Sequence, residues 1–171
     1  MNQSTSEPRP QRNDSRLIPL TQGQFAIVDA ADYEWLNQWK WCALWNKRTQ
    51  SFYATRRTGP TPGIVIYMHR FILGLNYGDS RQVDHKHSGQ TLDNRRYNLR
   101  IATCVQNNYN RRRRTDNRSG FKGVTAHGGK WQARINKDGR RISLGHFSTA
   151  EEAHAAYSEA AKKYYGEFAR T

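Results

Sequence analysis

Apolar and polar residues alternate in short runs along most of this chain. Between Leu17 and Gly78 the strand-like runs are Leu17 to Thr21, Gln24 to Asp29, Trp39 to Trp45, Ser51 to Arg57 and Ile64 to Ile72. Gln22-Gly23 and Thr58 to Gly63 supply turns between them. Asp32 to Gln38 carries Tyr33, Trp35 and Leu36 and fits a short helix. Trp35, Trp39, Trp41 and Trp45 cluster in a stretch poor in aliphatics, and we read them as its core rather than as a base-stacking platform. Alternation returns beyond residue 120. Phe121 to Ala126, Trp131 to Asn136 and Arg141 to Phe147 are separated by His127-Gly128-Gly129 and Lys137-Asp138-Gly139, both suited to tight hairpins. Ser148-Thr149-Ala150-Glu151 reads as a capping box opening a helix to about Tyr165, with Gly166 as its left-handed stop. Ala153, Ala156, Tyr157, Ala160, Ala161 and Tyr164 form one stripe that can lie close on a sheet. Three antiparallel strands backed by one helix are expected there.

Residues 79 to 114 have another texture, in which Asp, His, Asn and Arg dominate. A hydrophobic core does not hold a segment this polar. Either it is disordered, or its polar groups converge on a metal or a phosphate. The start, Met1 to Arg16, is polar and Pro/Ser-rich and reads as a disordered tail. Residues 115–120 read as a linker, which leaves modules over 17–114 and 121–171.

Composition sharpens this picture. Lys and Arg number 28 against 14 Asp and Glu, a net charge of +14. Cut at residues 78 and 118, the three segments carry +4, +6 and +4, which excludes a single basic tail. Charge this lopsided implies an anionic partner. Leu, Ile, Val and Phe make up only 28 of 171 residues, so several small aromatic-rich units are expected in place of one large core. The most apolar stretch, Gly63 to Leu75, is interrupted by His69 and Arg70 and is too short to span a bilayer. Cys42 and Cys104 supply neither a disulfide framework nor a zinc quartet. A soluble, intracellular protein with no membrane role and no obligate protein partner is the expectation.

The polar segment carries the candidate chemistry. Val83-Asp84-His85 is followed by Asn98 and then Asn107, the last within Thr103 to Arg111, which suits a short helix. Two strands and a helix would surround a small polar centre. Phosphodiester cleavage needs a base for water, a hard cation on the scissile phosphate, and a group that orients the base. His85 can serve as base, Asp84 and the Asn107 carbonyl oxygen as metal ligands, and Asn98 as the orienting group. His69 is expected to brace the fold, His87 to be a solvated neighbour and Cys104 a small buried residue. Arg95, Arg96, Arg100, Arg111, Arg112, Arg113 and Arg114 flank the centre, and their forks suit phosphate oxygens.

Tyr67-Met68-His69-Arg70, Val83-Asp84-His85, Leu92-Asp93-Asn94-Arg95, Asn98-Leu99-Arg100 and Gln106-Asn107 together resemble an HNH endonuclease of the phage and intron homing type. The resemblance implies a ββα-metal fold that cleaves DNA with a divalent ion. It makes His85 the general base, Asn98 the orienting residue, and Asp84 and Asn107 the metal ligands. Asn107 departs from the many members that place His there. An amide oxygen favours Mg²⁺ over Zn²⁺. A bacterial or phage-infected cytoplasm would be the setting.

The C-terminal module has a second resemblance. Phe121-Lys122-Gly123-Val124, Lys130 to Ile135, Ile142 to Phe147 and Thr149 to Ala153 are similar to the plant ethylene-response-factor DNA-binding domain. That family lays its sheet in the major groove, a space that accepts a β-ribbon. The matching groove-facing positions are Lys122, Thr125, Trp131, Arg134, Arg141 and Ser143. Thr125, Arg134 and Ser143 replace the residues usual in plants, so base preference does not transfer. The combined expectation is an α+β protein: a β-rich region with a ββα-metal HNH centre, then a three-stranded sheet packed on one helix. Its function would be site-recognising, metal-dependent cleavage of double-stranded DNA. A non-catalytic DNA-binding regulator is the alternative, and an RNA-binding protein stands third.

Overall fold

The computed structural model describes residues 14–60, 62–87, 89–113 and 116–171. Most of the tail expected over 1–16 therefore lies outside the described residues. The fold is α+β, with several small sheets and short helices. The chain divides into two compact units, Met1–Ile101 and Ala102–Thr171.

In the first unit β1 (Ser15–Pro19) and β2 (Phe25–Asp29) form an antiparallel hairpin. Its turn places Gln22 and Gly23 at positive φ, the backbone such a tight turn demands. α1 (Ala30–Asn37) follows directly, and β3 (Cys42–Asn46), β4 (Ser51–Thr58) and β5 (Ile64–Tyr67) make an antiparallel meander. The expected strand from Ile64 to Ile72 stops at Tyr67, where α2 (Met68–Ile72) begins. Met68, His69 and Ile72 are its buried residues, at helical rather than strand spacing. A short apolar run does not separate the two periods by itself. β6 (Gln82–His85) and β7 (Leu99–Ala102) form a two-stranded sheet.

The core of this unit gathers Ile18, Ala26, Val28, Leu36, Trp41, Met68, Val83 and Leu99. Phe71 sits among Trp35, Trp39 and Trp41, with ring centroids 5.2, 5.3 and 6.3 Å away. The Arg56 guanidinium lies 4.4 Å over the Trp39 ring. Aromatics thus replace aliphatic bulk, as the sequence implies. Trp45 is the exception, exposed and edge-on to Phe52.

The second unit opens with α3 (Cys104–Tyr109), capped by Thr103, whose hydroxyl accepts from the Gln106 amide while the Gln106 side chain accepts from Thr103 N–H. β8 (Val124–His127), β9 (Lys130–Lys137) and β10 (Arg140–Phe147) form an antiparallel sheet with β9 central. α4 (Ala150–Tyr165) packs on it through Ala153, Tyr157, Ala160, Ala161 and Tyr165, with Ala156 and Tyr164 only partly buried. The capping box is formed by Thr149 and Glu152, one residue later than expected. In β10 the register shifts between Ser143 and Gly145, so Leu144 is an extra residue opposite β9. The Tyr109 ring stacks 3.7 Å from Tyr165, and Lys122 Nζ donates to the Tyr109 carbonyl at 2.6 Å. These contacts draw α3 into the second unit. The second compact unit begins at Ala102 and includes the segment expected as a linker over 115–120. Cys104, expected to be buried, is exposed on this helix.

Candidate polar centre and nucleic-acid interface

Asp84 and His85 close β6 and are both 6% exposed. Burial lowers the His85 pKa, while hydrogen bonding with Asn94 and the charges of Asp84 and Asp93 push back. The imidazole is thereby held in the neutral form that can accept a proton. The His69 ring lies 5.1 Å from it and the Tyr53 ring 6.2 Å, and those two rings are themselves 5.7 Å apart. His69 is buried, and desolvation first, then His85 and Arg70, hold its pKa well below the usual range. Its position against Tyr53, Tyr67 and His85 is that of a brace.

Asn98 is fully buried and organises the loop after His85. Its Oδ1 accepts from His87 N–H at 2.9 Å and lies 3.0 Å from His87 Nδ1. Its Nδ2 donates to the Asp93 carbonyl at 2.8 Å and the Gln90 carbonyl at 3.4 Å. Asn98 thus pins the loop that follows His85. His87, expected to be merely solvated, is exposed yet tied to Asn98. The same loop is stitched to β2, for Ile27 N–H donates to Leu92 O and Asn94 N–H to Ile27 O. Asn107 lies in α3, half-buried, in the second unit.

Three of the flanking arginines are ion-paired with carboxylates of their own unit. Arg95 grips Asp93 through Nε at 2.8 Å and Nη2 at 2.7 Å. Arg96 grips Asp32 at 2.8 Å through both nitrogens, and its N–H donates to Asp29 at 2.7 Å. Arg100 places Nε and Nη2 at 3.0 and 2.7 Å from Asp84 Oδ2. Asp32, Asp84 and Asp93 are buried, and a buried carboxylate demands such a partner. Arg111, Arg112 and Arg113 are exposed, with Arg113 donating to the Asn117 carbonyl. Arg114 lies outside the described residues. The Asp84 carboxylate offers only oxygen, a donor chemistry that fits a hard divalent cation. Among the described residues, no group of three or more His, Cys, Asp or Glu side chains converges in a way that could hold a metal ion.

In the second unit, alternation along the strands assigns the sheet faces. Ala133 and Ile135 are buried toward α4, so Gln132, Arg134 and Asn136 take the opposite face of β9. Their cross-strand partners Thr125, Arg141, Ser143 and His146 share that face. Gln132 Nε2 donates to Ser143 Oγ at 3.3 Å, and the His127 and His146 rings lie 5.4 Å apart. Of the expected groove-facing residues, Thr125, Arg134, Arg141 and Ser143 are therefore coplanar. Trp131 is not: it packs on the helix side with Phe121, Phe147 and Ala133. Lys122 also differs, its ammonium donating to Tyr109 O at 2.6 Å and Arg170 O at 3.2 Å. Gln132 and Asn136 escaped the sequence reading, although their parity with Arg134 marks them.

No family model matches the chain. A stretch of 58 residues, 32% of the chain, is 48% identical to Dehydration-responsive element-binding protein 2A of Arabidopsis thaliana. The match spans 17% of that plant protein. Among the described residues no helix is long and apolar enough to cross a membrane.

Proposed function

We propose that this is a DNA-binding protein whose second unit presents the outer face of β8, β9 and β10 to a duplex. One observation carries the reading: Thr125, Gln132, Arg134, Arg141 and Ser143 share a sheet face that leaves the apolar residues to α4. Partial similarity to a protein named for binding a response element supports it. Arginine forks on such a ribbon can meet guanine edges or phosphates, and the amide and hydroxyls add shorter-range selection. The test is fluorescence anisotropy on labelled duplexes with the R134A/R141A double variant. Affinity should fall by about tenfold or more. Unchanged affinity would sink the reading.

A second reading is favoured by the buried Asp84-His85 pair and the loop that Asn98 pins beside it. There the protein is an HNH-type endonuclease. His85 is the base that takes a proton from water, while Asn98 fixes the loop that follows it. Asp84 would be a ligand of Mg²⁺, which would supply charge neutralisation at the scissile phosphate. Supercoiled plasmid nicked with Mg²⁺ by the wild type, and by neither H85A nor D84A, is the expected result. Absence of nicking by the wild type with any divalent ion would leave the binding protein alone.

A further inference from the structure

The Asp84–Arg100 pair bears directly on how a cation could enter. Arg100 sets both Nε and Nη2 on one oxygen of Asp84, and the two side chains are only 10% and 7% exposed. A guanidinium in this position already does for the carboxylate what a bound cation would do. A second cation on the same oxygen meets repulsion across a short, poorly screened distance.

We propose that Arg100 is the resident counter-ion of Asp84, and that a divalent cation gains this carboxylate only by displacing the arginine fork. The proposal rests on the nuclease reading of Asp84. It turns Arg100 from a static phosphate contact into a residue that trades partners. Once released, its planar fork is suited to a phosphate oxygen, so a DNA strand and the cation would favour each other's binding. In the absence of DNA the site should take up divalent cations weakly.

The test measures Mn²⁺ uptake by the full-length chain, without DNA, using titration calorimetry on wild type, R100Q, R100K and D84N. R100Q should bind Mn²⁺ tighter by about tenfold or more, the consequence of removing a positive charge from beside the ion. R100K, which keeps a charge but loses the fork, should fall between it and the wild type. It also serves if R100Q proves too unstable to fold. D84N should lose this uptake. If D84N abolishes binding while R100Q and R100K bind no more tightly than wild type, the exchange is wrong and the metal role of Asp84 stands. If no variant shows uptake that depends on Asp84, both the exchange and the nuclease reading fail.

Discussion

Lys122 is a basic residue whose environment sets its work. Burial, with Arg170 and Arg111 adding to it, pulls its pKa from 10.5 down to about 8. Between about pH 8 and 10.5 the unfolded chain keeps a proton that the folded chain has released. Stability from this group therefore rises with pH through that window, and below it the cost of burying the ammonium is fully present. Wild type should gain stability relative to K122M between pH 7 and pH 10, measured by denaturant unfolding at both values. An equal difference at the two pH values would refute this. The contrast with Asp84, His85 and Asn98 shows what can be read in a sequence. Those three stand out because an acid, an imidazole and an amide recur at meaningful spacing. The partners of Arg96 and Arg100 lie 64 and 16 positions away, and no local pattern records such a pairing.

At the level of elements, the β8–β10 sheet and α4 were legible because their periods are clean and their turns carry Gly. The apolar run at Ile64 was not, since strand and helix compete for it until burial decides. Close approach of elements is equally invisible. Gly123 has φ +76°, and a Cβ built there would lie 2.1 Å from a ring carbon of Tyr157. The strand entry and α4 can meet only because this residue has no side chain. G123A should destabilise the second unit by roughly 2–4 kcal/mol, combining backbone strain with overpacking. Thermal unfolding read by Tyr-region circular dichroism checks it, and a change below about 0.5 kcal/mol, the usual range for an uneventful surface substitution, would contradict the geometry.

For the whole molecule, a net charge of +14 governs association more than folding. Three arginines are paired with carboxylates already subtracted in that figure, so the net charge, not the count of 28 basic residues, is the better guide to phosphate contacts. Duplex affinity should fall with salt at a log–log slope of roughly −0.9 per phosphate contacted. If Arg134 and Arg141 both meet phosphates, R134A/R141A should flatten that slope by about two such contacts. A slope unchanged by the double substitution would move the binding surface elsewhere. The same strand that lends Arg141 and Ser143 to this face carries the extra residue Leu144. Ahead of it Ile142 points to α4, and beyond it Phe147 does too, though five positions separate them. Strand β10 is thus written in two phases joined by a one-letter insertion. Deleting Leu144 would put the two halves in one phase, with Ile142 and Phe147 four positions apart and still toward α4, and Ser143 and His146 still outward. A single-codon loss there would spare every letter of the outer face and fall on the apolar side, where Leu144 packs against both clusters beneath α4.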